Sequence, residues 1–251
     1  MARDSGSSVG RYFERLTLNQ RIQHIVLMIS FSTLVLTGLP VRYPESSVSS
    51  RIIWLLGGFG MRSMLHRCAA IILILLTVYH VCYTIFSRRG RSEVWALTPN
   101  LKDAFDVFHM MKYYFGLASA KPRFGRYGFI EKFEYLAVGW GSVIMIGTGL
   151  MLWFPAKTML FLPKWALDVA RIVHSYEALL AFLAIVIWHF YQVHLNPDVF
   201  PMSRVWLDGK ISEHDMKEHH PVEYERIMRS LQDEDTGRAE LQTESERGNR
   251  S

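Results

Sequence analysis

The sequence predicts an all-α fold: an integral membrane four-helix bundle with cytoplasmic amphipathic helices and a partly disordered C-terminal tail. Three observations predict it. The stretches 22–40, 68–86 and 135–154 contain no Asp, Glu, Lys or Arg, and 172–195 contains only Glu177. Each is long enough to cross a hydrocarbon core of roughly 30 Å at about 1.5 Å per residue. The charge missing from them is concentrated at the ends and in the loops, although the 251 residues average to a mean hydropathy of +0.10.

In order, residues 1–21 form a polar cytoplasmic segment, 22–195 the four-helix transmembrane domain, and 196–251 a cytoplasmic tail. No cleavable leader is expected, because the first apolar run is itself long enough to span. Residues 51–60, RIIWLLGGFG, are too short to span and are read as interfacial. After the second span, Pro99 suits a helix start. Leu101, Ala104, Phe108, Met111 and Phe115 then follow helical spacing, which predicts an amphipathic surface helix over 100–117. Residues 212–231 read as a polar helix, with Ser212 as cap and Glu213 and Asp215 in its first turn. From about 233 the tail is charged and lacks aromatics, which predicts disorder. No internal repeat is read from the sequence.

Basic residues orient the bundle. Segments 1–21, 87–132 and 195–251 carry 21 Lys and Arg, against 7 in 41–67 and 155–171. The positive-inside rule then places both termini and the 87–132 loop in the cytoplasm, in a bacterial inner membrane. The net charge of +5 reads as the trace of that topology and not as a nucleic-acid footprint. Two cysteines, Cys68 and Cys82, exclude a cluster that needs four thiolates, and no C-x-x-C-H attaches a c-type haem.

The histidines carry the chemistry. His24, His66, His80, His174 and His189 fall in the spans or at their ends, with His194 at the edge. Ionisable groups at such depths are costly and mark function. Alternating span direction sorts them into an outer tier, His66 and His174, and an inner tier, His24, His80 and His189. His66 and His80 lie about 21 Å apart along one helix, and His174 and His189 about 22 Å along another, each pair roughly on one face. That arrangement suits two haem b groups stacked across the membrane, each held by imidazoles from different helices. Gly139, Gly141, Gly147 and Gly149 give the third span a thin face. It admits either a flat macrocycle or close helix packing. Arg67, Arg171, Arg62 and Arg21 lie near the tiers, where they either pair with propionates or snorkel.

These residues carry a resemblance. RIQHIVLMISFSTLVLTGLP, HRCAA, GRYGFIEKFEY, GTGLMLWF and VHSYEALLAFLAIVIWH resemble, in order over roughly 12–200, the di-haem cytochrome b subunits of formate dehydrogenases and nickel–iron hydrogenases. Bacterial cytochrome b561 is a relative. The resemblance implies four spans, two b haems, and a quinone site (menaquinone or ubiquinone) near the inner haem. It implies His66 with His174 as outer ligands and His24 with His189 as inner ligands. His80 departs from that pattern. HRCAAIILILLTVYH is instead similar to the second helix of the cytochrome b of quinol–cytochrome c reductases, so His24 and His80 compete for the fourth ligand position. The tail from HLNPDVFPMSRVWLDGKIS is similar to those of cytochromes b that accompany multihaem cytochromes c.

The reading that follows is an electron-transfer subunit joining an outer redox partner, an iron–sulfur protein or a multihaem cytochrome c, to the quinone pool. Quinone-side candidates are His194, Asn196, Asp198, Tyr127, Glu131 and, if it is not a ligand, His80. Glu177, one turn after His174, either serves an outer site or holds the second ring nitrogen of His174. The rival readings are a haem-free membrane anchor or proton-coupled transporter, and a free-standing quinol oxidase of the cytochrome b561 kind.

Overall fold

The computed structural model describes residues 11–197 and 199–248. In chain order the elements are β1 Tyr12–Glu14, α1 Leu18–Arg42, α2 Ser47–Leu55, α3 Gly58–Phe86, α4 Arg88–Leu97, α5 Leu101–Tyr114, α6 Phe129–Trp153, α7 Pro155–Thr158 and α8 Lys164–Leu183. Helix α8 runs on through π-helical turns at Ala184–His189 and Tyr191–Leu195. Then come α9 Val205–Asp208, β2 Lys210–Ser212, α10 Glu213–His219 and α11 Pro221–Gly248. Four helices are long and apolar enough to span: Leu18–Arg42, Gly58–Phe86, Phe129–Trp153 and Lys164–Leu195. Their outward faces display Leu75, Val143 and Ile187, all exposed. Apolar side chains turned outward on helices whose backbone bonds close internally are what a bilayer core requires.

The chain divides into two compact units, one of which, Leu16–Trp95 with Phe133–Gly209, holds the spans. Helix α1 begins at a capping box in which Thr17 accepts from the Gln20 N–H and Gln20 accepts from the Thr17 N–H. Between α3 and α4 the chain turns so tightly that a Cβ at Gly90 would collide with the Tyr83 carbonyl, which only glycine permits. The run 51–60 is shared between two helices. Its first half ends α2, with Trp54 and Leu55 exposed, and Gly58 already opens the second span.

The bundle contains a repeat that the sequence reading missed. Helices α1 and α6 are both 25 residues long. Matched end to end, they pair Gln20 with Glu131, Arg21 with Lys132, Gln23 with Glu134, His24 with Tyr135, Thr37 with Thr148, Gly38 with Gly149 and Arg42 with Trp153. The match continues upstream, where Arg15 falls on Arg126. The caps correspond too, since Glu131 accepts from the Gly128 N–H as Gln20 does from Thr17. Helices α3 and α8 match likewise through His66 and His174. His80 and His189 also correspond, but one residue later, because the π-helical turn Ala184–His189 absorbs an extra residue. The 14- and 15-residue histidine spacings therefore describe the same placement on two helices.

The other unit contains β1, α5, β2, α10 and α11. β1 and β2 pair antiparallel, with Phe13 opposite Ile211. Both are buried, with Met216 beside them and Tyr224 edge-on to Phe13 at 5.9 Å. Arg15 is buried against Glu223 at 2.7 Å, and Arg126 reaches the other oxygen of Glu223 at 3.0 Å. Each arginine also donates to the other's backbone carbonyl. His220 Nδ1 donates to the Gly125 carbonyl at 2.9 Å. Burial, then the neighbouring Arg15, lowers its pKa to about 3.

Ser212 caps α10 as expected, but the single helix read over 212–231 breaks at His220–Pro221. Proline lacks the N–H that would continue the helix and disfavours a helical residue before it. Beyond 233 the tail continues as α11, with residues 232–236 exposed.

Candidate functional site

Helix α1 presents Thr37 near one end and Gln23 near the other, 14 residues or about 21 Å apart; α6 presents Thr148 and Glu134 in the same way. Each of these four side chains meets one histidine of the helix beside it. Thr37 Oγ1 lies 2.8 Å from His66 Nδ1, and Thr148 Oγ1 2.9 Å from His174 Nδ1. Both hydroxyls already donate to backbone carbonyls one turn back, Thr33 at 2.6 Å and Ile144 at 2.7 Å. They therefore accept from Nδ1–H, and each imidazole keeps an unprotonated Nε2.

The second tier follows the same rule. His80 Nδ1 donates to Gln23 Oε1 at 2.7 Å, and His189 Nδ1 to Glu134 Oε2 at 3.1 Å. His80 differs in that its Nε2 also accepts from the Tyr135 hydroxyl at 2.9 Å. The His24 ring lies 6.4 Å from the His189 ring, centroid to centroid, and 6.4 Å from Trp206. Its buried Nδ1 has no hydrogen-bond partner among the described residues, and neither do Gln23 Nε2 and Glu134 Oε1 close by.

This donor set fits a haem. Two imidazoles that each put a nitrogen about 2 Å from one metal have centroids roughly 6 Å apart, as His24 and His189 do. Orienting a metal-binding imidazole through its other nitrogen is the usual role of partners such as Thr37, Thr148 and Glu134. Glycine makes room in the first tier. A Cβ at Gly38 would lie 3.3 Å from His66 Cε1, and one at Gly149 3.2 Å from His174 Cε1. Of the other glycines of the third span, Gly141 faces Glu177 Oε1, whereas Gly139 and Gly147 face open space. No group of three or more His, Cys, Asp or Glu converges among the described residues, so the candidate metal sites are imidazole pairs.

The remaining candidates separate. Glu177 does not hold the His174 ring; Thr148 does. Arg67 lies over Trp153 at 5.5 Å, and its counterpart Ser175 accepts from Arg42 at 2.9 Å. Arg62 donates to the Thr37 carbonyl at 2.8 Å, Arg21 donates to that of Leu207, and Arg171 is exposed. His194 packs on Phe190 at 4.3 Å, and Asn196 donates to Gln192 at 3.2 Å. Tyr127 lies under the Arg15 and Arg126 guanidiniums, and Glu131 holds the Gly128 N–H. Asp198 lies outside the described residues. Sequence reasoning missed Thr37, Thr148, Gln23, Glu134 and Tyr135; the offset between α1 and α6 was the signal for all five.

The profile of a family described as prokaryotic cytochrome b561 matches residues 15–200. No curated protein matches the chain.

Proposed function

The chain belongs to the prokaryotic cytochrome b561 family and is a membrane b-type cytochrome of electron transfer; from that premise we propose that it carries electrons between a redox partner and the quinone pool through two bis-histidine haems. His66 and His174 hold one, and His24 and His189 the other. The observation that carries this reading is the tautomer: Nδ1 of His66, His174 and His189 is tied to a neighbouring helix, leaving Nε2 for iron. His24 is favoured over His80 as fourth ligand by its 6.4 Å approach to His189. Both ring nitrogens of His80 are engaged.

Bound haem supplies one-electron chemistry; the protein supplies position and electrostatics. Thr37 and Thr148 fix ring orientation in one tier. Glu134 does so for His189, and its carboxylate would favour positive charge on a metal held there. Gly38 and Gly149 keep the approach to the rings open. On the quinone side, His194 and Asn196 are the exchangeable-proton candidates. The excess of Lys and Arg supports a cytoplasmic side for both termini and the 87–132 loop in a bacterial inner membrane, and the proposed redox partner then meets the opposite face.

The test is a dithionite-reduced minus oxidised spectrum of the purified chain, with haem counted as the pyridine haemochrome. Two b haems per chain are expected. Absence of a b-type α band would favour the haem-free anchor or transporter. Isolation under mild detergent only as a lone chain would favour the free-standing quinol oxidase.

A further inference from the structure

Helix α5 is amphipathic in the wrong sense for a helix in water. Asp106 and Met110 form its buried side, and Asp103 is half-buried, held at 2.9 Å by the buried Lys132. Lys102 bridges to Asp106 at 2.5 Å. The apolar arc turns outward: Leu101, Phe105, Phe108 and Phe115 are 66–83% exposed, and Met111 is exposed beside them. Phe108 is about 200° of helix rotation from Asp106, so the outward arc is the true opposite of the packed side. A contiguous row of aromatic side chains of this size marks a surface that meets something other than water.

Charge and chain continuity identify what it meets. Across 87–132 there are nine Lys and Arg against four Asp and Glu. Within the unit that holds α5, none of the carboxylates of this loop, Asp103, Asp106 and Glu131, is exposed, whereas Lys102, Lys112, Lys121 and Arg123 are, Arg123 paired with Glu225. The outward charge around the arc is therefore positive. Lys112 rises from the arc itself, one turn beyond Phe108, where its aliphatic stem lies along apolar surface and its ammonium reaches past it. Only Thr98, Pro99 and Asn100 separate α5 from α4, and only Ser87 separates α4 from the second span.

We propose that α5 lies in the headgroup–acyl boundary of an anionic leaflet. The arc Leu101, Phe105, Phe108, Met111 and Phe115 sits against acyl chains, and the surrounding cations sit on lipid phosphates. The aromatic rings set depth; Lys112, with Lys102 and Lys121 of the same unit, sets the preference for negative headgroups. Met110 and the inward carboxylates hold the other side of the helix to the protein, so the arc is presented without the helix having to fold on binding.

The experiment uses the full chain in lipid nanodiscs, with Cys68→Ala and Cys82→Ala and a nitroxide attached at Phe108→Cys. Phe115→Cys serves as a second immersed position and His109→Cys as a polar-side control. Collision with oxygen, which partitions into acyl chains, is compared with collision with a water-soluble nickel chelate. The expected result is a reversal: oxygen dominates at 108 and 115, and nickel dominates at 109. The oxygen preference should rise when roughly one-third of the lipid is phosphatidylglycerol instead of all phosphatidylcholine. Nickel dominating at 108 and 115 would put the arc in water and overturn the proposal. Low collision with both reagents would put it under protein and overturn it as well. Equal immersion in both lipids would overturn the preference for anionic headgroups.

Discussion

Where α1 carries His24, α6 carries Tyr135; where α1 ends in Arg42, α6 ends in Trp153. Around these exchanges the two helix pairs, α1 with α3 and α6 with α8, repeat one another. Thr37 holds His66 as Thr148 holds His174, and Gln23 holds His80 as Glu134 holds His189. Even the cross-pair contacts are exchanged in kind. Arg67 lies on Trp153, and Ser175 accepts from Arg42. His80 accepts from Tyr135, and His189 faces His24 across 6.4 Å. In the first tier the histidines are themselves counterparts, so a haem held there as proposed would be held symmetrically by the two pairs. In the second tier His24 replaces a tyrosine, and the symmetry ends. Repetition thus builds the scaffold, and on the proposed assignment the one departure from it, His24 for Tyr135, supplies the ligand of the second tier.

The largest effect that tests this comparison is loss of a ligand. His66→Ala and His174→Ala should each halve the haemochrome signal, from two haems per chain to one, because their roles are equivalent. The second tier should respond unequally. His24→Ala should also remove one haem, whereas Tyr135→Phe and His80→Ala should leave two; loss of a haem in His80→Ala but not in His24→Ala would reverse the assignment.

Glu223 comes next. It is buried and answers Arg15 and Arg126, with the exposed Arg226 at 3.7 Å, so Glu223→Ala takes the carboxylate from the two inner guanidiniums and should cost about 3–5 kcal/mol in the unit it closes. Hydrogen exchange at residues 12–15 and 124–127 in the full chain would measure it. Thr37→Val and Thr148→Val are smaller. Each should weaken haem retention about 10- to 100-fold, and by similar factors if the pairs are equivalent.

The smallest effect is on pH. His220 is held neutral, with its pKa lowered from 6.5 to about 3. The unfolded chain therefore binds the proton first, and the stability of this unit is full above about 6.5 and falls as pH drops toward 3. The loss should be about 1 kcal/mol at pH 6 and about 2 at pH 5. His220→Asn should flatten that dependence, read as exchange protection of residues 220–224 across pH 5–7.5.

The spans and the histidine tiers were legible because both rest on composition. Charge-free runs fix where the chain crosses, and alternating direction fixes which histidines share a depth. The repeat was not legible. Its exchanges, His24 for Tyr135 and Arg42 for Trp153, hide the alignment where the chemistry is strongest, and the π-helical residue shifts the register between His174 and His189. Thr37 and Thr148 were hidden for another reason. A threonine in a span reads as packing until its hydroxyl is seen to be used twice, once on its own helix and once on an imidazole. For α5 the periodicity gave the apolar face, but not that Asp103 and Asp106 would be the side turned to the protein.

The sharing of Glu223 by Arg15 and Arg126 bears on the order of synthesis. The carboxylate emerges from the ribosome after all four spans, while one arginine precedes the first span and the other precedes the third. Until then both guanidiniums are solvated, and β1 has no strand to pair with, since β2 also comes after the fourth span. The segments before α1 and α6 thus acquire their final partners last. A chain that stops short of the tail would carry complete spans but lack both Glu223 and β2.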